Sequence, residues 1–137
     1  MVGMKLVSLT YVSTLKKDTD ATELFDLNQI SVKNNAQLEV SGILLFSNDY
    51  FLQHLEGGRE VVNALFHKIA NDSRHEHVLL LNYSEIFERD FEKWGMKLAL
   101  LTKEKAQTIL KYSIHAEFNP YLMSGPSALA FLKTFRD

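Results

Sequence analysis

Cysteine is absent, so disulfides, thiolate metal sites and cysteine nucleophiles are excluded together. An excess of one charge sign is missing too: 15 basic residues stand against 17 acidic ones, and the two signs are mixed along the chain. That balance offers neither the basic footprint of a nucleic-acid binder nor a polybasic membrane patch, and both partners are disfavoured. No apolar run approaches the length of a membrane span, and the start is too weakly apolar for a signal peptide, so the expectation is a cytoplasmic protein. Gly57-Gly58 lacks the spacing and the following Lys-Ser/Thr of a phosphate-binding loop, and no nucleophile elbow or acid pair marks a hydrolytic centre. His54, His67, His75 and His77 match no common metal signature.

What is present is ordinary globular patterning. The 137 residues suffice for one compact core, and a single domain is expected. Leu6 to Ser13 alternates as a first strand, with Val7, Leu9 and Tyr11 on one side. Asp20 to Glu23 resembles a capping box opening a helix whose inward stripe runs Leu24, Leu27, Asn28, Ser31 and Asn35, with Asn34 beside it. Val40 to Phe46 suits a central strand, and Ser47-Asn48-Asp49 turns it into Tyr50 to Glu56 as a hairpin. Gly57-Gly58 opens a second helix to about Asn71, with a stripe of Val61, Leu65, Lys68, Ile69 and Asp72. Val78 to Ile86 reads as a strand, 87–94 as a single helical turn, and Met96, Leu98 and Leu100 as a fifth strand. Two helical patterns follow, Lys103 to Tyr112 and Ser127 to Arg136. This order predicts an α/β ferredoxin-like sandwich: a five-stranded mixed sheet, two helices on one face and a C-terminal helical extension.

One residue does not fit its surroundings. Period two puts Phe51, Gln53 and Leu55 on one strand face, so a primary amide sits between large apolar side chains. An unpartnered buried amide costs about a few kcal/mol, so Gln53 meets protein groups or a ligand. Taken singly, Tyr11 reads most simply as a core tyrosine with its hydroxyl at the rim, and Gln53 as an amide bonded to stray backbone groups. Taken with Asn34, Asn35, Lys68 and Asp72 at the polar ends of the helix stripes, they read better as a polar-lined cleft between the helices. Lys68 and Asp72 also suit an exposed ion pair, and Trp94 and Met96 suit a simple core.

The blocks Leu9-Thr-Tyr11-Val-Ser, Asn34-Asn35 ahead of Val40-Ser-Gly-Ile-Leu44, Phe51-Leu-Gln53-His-Leu-Glu-Gly57, Asp72-Ser-Arg-His75 and Phe91-Glu-Lys-Trp94-Gly-Met96 resemble, in order and spacing, BLUF domains, blue-light sensors that use FAD. The tail, with Lys111-Tyr-Ser113 and Phe118-Asn-Pro120, is similar to short stand-alone members of the PixD type. The resemblance implies residues 1–101 as a flavin-binding domain and 102–137 as a two-helix extension packed on it. It implies FAD with its isoalloxazine ring between the two helices, Tyr11 as the photochemical tyrosine and Gln53 as the switching glutamine. It implies Asn34 and Asn35 at the ring and ribityl side, Leu27 and Ile69 as apolar walls, and Lys68, Asp72, Arg74 and His75 at the ribityl and phosphate end. Trp94 and Met96 match the pair assigned to signal output. Two departures stand out: Gly95 lies where Ser is commoner, and Lys68 replaces a frequent Arg, losing its planar fork.

The expected function is therefore a photoreceptor and not an enzyme, signalling by hydrogen-bond rearrangement at Gln53. A chain of this length leaves no room for an attached output domain, so output through self-association or a separate protein is expected. The resemblance adds dimers or rings of them and a response-regulator-like partner. The alternatives are a small ferredoxin-like hydrolase using Asn35 and Arg74, and a ligand-free interaction module in which Gln53 is structural.

Overall fold

The computed structural model describes residues 5–19, 23, 37–92 and 95–136. Within them, runs rich in Val, Leu, Thr and aromatics form five strands: β1 (Leu6–Leu15), β2 (Ser41–Ser47), β3 (Tyr50–Gly58), β4 (His75–Glu85) and β5 (Gly95–Ala99). They make one sheet in the order β4-β1-β3-β2-β5. All neighbours are antiparallel except β2 and β5, which run parallel, so the sheet is mixed and ferredoxin-like, as expected. The hairpin between β2 and β3 turns at Asn48 (φ 53°) and Asp49 (φ 65°). Two successive positive φ values are the signature of a type I′ turn, whose twist matches the flanking strands, and Asn and Asp tolerate them best among non-glycine residues.

The sheet is covered on both faces. On the front, Val7, Leu9 and Tyr11 of β1, Phe51 and Leu55 of β3, Leu44 of β2 and Met96 of β5 pack with Val62 of α1 (Arg59–Ala70). Glu60 in its first turn and His67 and Lys68 in its last complement the helix dipole. On the back, Ile43, Leu45 and Leu52 meet the tail: α2 (Lys103–Ala106), two 3₁₀ turns (Ile109–Lys111 and Pro120–Leu122) and α3 (Gly125–Lys133). Thr102 caps α2 by accepting from Lys105 N, and Ser124 caps α3 by accepting from Ser127 N. Phe118, Phe131 and Phe135 form a tilted-to-perpendicular aromatic stack at the centre of this second core.

Four expectations need correction. Gly57 does not open the helix but lies in β3, paired with Val7; Gly58, the last residue of β3 and paired with Leu6, is the N-cap, and the helix begins at Arg59. Its packing face is centred on Val62, with Leu65, Phe66 and Ile69 half-buried beside it, so Lys68 falls on the exposed side rather than in the inward stripe. Residues 87–92 make bends instead of a helical turn, because the Glu56 carboxylate takes the amides of Asp90 and Phe91 that such a turn would need. The expected helix Lys103 to Tyr112 divides into α2 and a 3₁₀ turn. The helix expected after Asp20 falls on 20–22 and 24–36, outside the described residues.

Because Phe131 is fully buried between tail and sheet, Phe131→Ala should destabilise the protein by about 3–5 kcal/mol in chemical denaturation. A loss under about 1 kcal/mol would show that the tail contributes little to the sheet's stability.

Candidate functional site

The antiparallel register of β1 and β3 sets Tyr11 directly opposite Gln53 on the front face. Both are buried, at 1% and 3% exposure. The Tyr11 hydroxyl donates to Gln53 Oε1. Around the pair lie Leu9, Leu44, Phe51, Leu55 and Met96, and the Phe66 ring sits 5.6 Å from the Tyr11 ring at a 55° tilt. Burial pushes the Tyr11 phenol far above its ordinary value, and the negative charge of Asp72 adds to the effect. The phenol therefore stays protonated and remains a donor.

A glutamine amide has an acceptor oxygen and two N–H donors. Among the described residues, Tyr11 is the one hydrogen-bond partner of the Gln53 side chain, and it uses the oxygen. The donor end is left for a group with acceptor atoms. An apolar enclosure with one uncommitted amide donor fits a planar heteroaromatic ring carrying nitrogen and carbonyl acceptors along one edge, as a flavin does.

The other expected residues separate into two groups. Ile69 is half-buried in the same apolar cluster as Tyr11, and Met96 is buried there at 5% exposure. Asp72, Arg74 and His75 gather in the connection that leads into β4. Arg74 donates from Nε to Asp72 Oδ1 (2.9 Å) and from Nη2 to Oδ2 (2.6 Å), a bidentate pair, and the Arg74 backbone N–H adds a third bond at 2.8 Å. The side-chain hydrogen bonds from Arg74 hold the Asp72 carboxyl down at about 2, against an ordinary 3.8. His75 Nδ1 lies 2.8 Å from Ser13 Oγ, and its ring packs 4.7 Å from that of Phe51. Burial lowers its pKa and keeps the ring neutral. Lys68 is exposed. Leu27, Asn34, Asn35 and Trp94 lie outside the described residues. The hydrolase alternative relied on Arg74 for a phosphorylated substrate, but the Nε/Nη2 edge of that guanidinium is already spent on Asp72.

Phe66 was not anticipated. Its signal is present, since Val62, Phe66 and Ile69 recur at helical spacing, but the stripe drawn through Val61, Leu65 and Lys68 ran one position off.

The family model for sensors of blue-light using FAD, BLUF, matches residues 6–97. The chain belongs to the BLUF family. It is 30% identical over 131 residues to the blue light- and temperature-regulated antirepressor BluF of Escherichia coli K12, covering 95% of this chain and 32% of that protein. The chain thus spans about a third of that relative's length. Among solved structures it is similar to BlsA in its photo-activated state, with a TM-score of 0.86 and 28% identity over 95% of this chain and 94% of that one. It is also similar to Klebsiella pneumoniae BlrP1, solved with FMN and cyclic diGMP, with a TM-score of 0.65 and 34% identity over 70% of this chain and 26% of that one. As a BLUF domain it is a flavin-using blue-light sensor. No helix among the described residues is long and apolar enough to cross a membrane.

The Asp72 carboxyl gives a pH test. Its folded value is depressed, so the stability it contributes is fully present above its ordinary 3.8 and is lost as pH falls through about 2. Arg74→Ala removes the cause. The stability gap between wild type and Arg74→Ala in denaturant titrations should therefore be largest at pH 5 or above, in the region of about pH 5 to 7, and should close towards pH 2. A gap that stays constant across that range would mean the pairing does not hold the carboxyl down.

Proposed function

We propose that the chain binds FAD non-covalently with its isoalloxazine ring beside Tyr11 and Gln53, and that light is read out as a hydrogen-bond rearrangement at Gln53. The observation that carries this reading is the buried phenol–amide pair, in which the Gln53 oxygen is engaged by Tyr11 and its N–H donors are not engaged by any described residue. Ile69 and Leu27 would wall the ring, Asn34 and Asn35 would hold its polar edge and the ribityl chain, and Lys68, Asp72, Arg74 and His75 would face the ribityl and phosphate end. Lys68 supports that assignment as an exposed cation, and Asp72 offers ribityl hydroxyls an acceptor.

A bound flavin supplies light absorption and an acceptor for an electron. Tyr11 is a suitable donor, and its proton has a defined exit, because its one described hydrogen bond leads to Gln53 Oε1. Gln53 can then rotate or change tautomer, which exchanges its donor and acceptor ends relative to the phenol. A carboxylate there would bring a charge into an apolar enclosure, and Leu could bridge nothing. Met96, buried in the same cluster, would sense the change, and Met96 with Trp94 would pass it along β5. We place residues 1–101 as the sensing unit and 102–137 as the extension through which β5 reaches its partners.

Output then goes to other proteins. The similarity to an antirepressor supports a protein target, and we extend this to a cytoplasmic protein that forms dimers or rings of dimers and meets a response-regulator-like partner. Leu79, Leu80 and Tyr83 on the edge strand β4 are exposed, which supports association through that side.

Four measurements test the reading. Purified protein should release FAD rather than FMN on denaturation, read by chromatography. Blue light should shift its absorption reversibly to the red. Gln53→Leu should keep the flavin and lose the shift, and Tyr11→Phe should keep the flavin and lose the tyrosine-dependent photochemistry. A Gln53→Leu protein with an unaltered red shift would overturn the assignment of the switch. Light scattering after size exclusion, in darkness and in light, reads the oligomer directly.

A further inference from the structure

The back face of the sheet holds a second buried polar network, which the flavin-side chemistry does not use. Thr10, Ser41, His54 and Glu56 are 0% exposed. Thr10 Oγ1 lies 2.8 Å from His54 Nδ1, and His54 Nε2 lies 2.8 Å from Glu56 Oε2. Glu56 then reaches out of the sheet: Oε1 accepts from the backbone N–H of Asp90 and of Phe91, both at 2.9 Å. Arg89 closes the arrangement from the other side by donating to Ser41 Oγ and to the Glu56 carbonyl, both at 2.8 Å. Residues 89–91 belong to no helix or strand. Side chains and carbonyls of β2 and β3 hold them, one carboxylate above all, together with the Glu39 carbonyl, which accepts from Arg89 at 2.9 Å.

Asp90 is held at two ends. Its N–H is on Glu56 of β3, while its carboxylate meets Lys133 at 3.2 Å and Arg136 at 3.7 Å at the C-terminal end of α3. The same end of α3 is tied elsewhere too: Lys97 of β5 donates to the Phe135 carbonyl, and Lys105 of α2 to the Thr134 carbonyl. Two lines therefore converge on one helix terminus, one from β5 through Lys97 and one from β3 through Glu56 and Asp90. Gln53 and Glu56 share β3 and point to opposite faces of it.

We propose that Glu56 and Asp90 are positioning residues forming a strut that couples the strand carrying Gln53 to the C-terminal end of α3, separately from β5. The inference rests on the reading of Gln53 as a light switch. A shift of β3 against α3 must either move the strut or break one of its ends. The inner end is a buried carboxylate with three N–H donors on it, whereas the outer end is a pair of half-exposed ion pairs. The outer end is the weaker one and is where the light state should be expressed. Such exposed pairs add little to folding, so cutting them leaves the domain intact.

The test is hydrogen–deuterium exchange on the flavin-loaded full chain, light minus dark, at residues 132–136, with the absorption spectrum recorded on the same samples. Wild type should show a red shift and a light-minus-dark difference there. Asp90→Ala, which removes both outer ion pairs but keeps the backbone N–H on Glu56 and the long contact of Arg136 with the Asp90 carbonyl (3.5 Å), should retain the red shift and its dark recovery while the exchange difference falls about twofold or more. Asp90→Glu should restore part of it. An unreduced difference in Asp90→Ala, or a wild-type red shift with no difference at 132–136, overturns the strut and leaves the photosensor reading standing. A flavin-loaded wild type with no red shift overturns the photosensor reading, and the strut with it.

Discussion

The register between β1 and β3 is the constraint on which both faces of the molecule depend. Tyr11 stands opposite Gln53, and the neighbouring pair, Thr10 and His54, stands opposite each other on the reverse side. Because the side-chain period is two, one slip of β3 by a single residue would put Gln53 against the tail and His54 against α1. Both ends of the pairing are fastened. Leu15 N donates to Asp49 O at the hairpin (2.7 Å), and Arg59 N donates to Lys5 O at the far end (2.9 Å). The type I′ turn at Asn48 and Asp49 fixes β3 against β2 in the same stroke. Gly42 shows how tightly these strands are set: a Cβ there would lie 1.9 Å from the His54 carbonyl oxygen, at a φ of 155°.

The two faces use that register in opposite ways. On the back, each of His54's ring nitrogens and both Glu56 carboxylate oxygens have close partners inside the protein, and a fully satisfied buried network rigidifies what it joins. On the front, Tyr11 and Gln53 share one neutral hydrogen bond, and the amide's other end is uncommitted among the described residues. A neutral hydrogen bond contributes about 0.5–1.5 kcal/mol net, while removing a partner from a buried charged group costs more, about 1.5–3 kcal/mol or above. The front pair can be exchanged at a cost that a bound ligand offsets, and the back network cannot. A switch on a rigid backing follows from that difference.

Much of this was legible in the sequence, for identifiable reasons. Alternation located most strands, a nearly continuous apolar run located β2, and Asn48-Asp49 located the turn, because strand patterning and positive-φ chemistry are local properties. Gln53 stood out because an amide on an apolar face is anomalous wherever the rest of the chain goes. The back network was not legible. Period two puts His54 and Glu56 on the face opposite Gln53, and their burial there follows only from a tail that closes over them. The helical turn expected at 87–94 failed for the same cause, since the carboxylate that captures the Asp90 and Phe91 amides lies far earlier in the chain. Lys68 was misplaced by one helical position, an error that period alone does not expose when Val61 and Val62 are both apolar.

The charged end of the front face has its own internal balance. Arg74 is committed to Asp72 by two side-chain bonds, so this pair contributes little net charge, and Lys68 stands exposed in the last turn of α1. On the proposed reading, phosphate groups at that end would meet one point charge in water together with the unspent edge of a guanidinium, rather than a dedicated fork. Exposed contacts of that kind are weak and screened by salt. The ring end is different: Phe66, Ile69, Leu44 and Met96 surround Tyr11 and Gln53 with apolar surface, and each square ångström removed from water there contributes at about 25 cal/mol. Affinity for the cofactor should thus come mainly from the ring, with the phosphate end setting orientation. That division keeps the strongest contacts beside the residues whose hydrogen bonds must change.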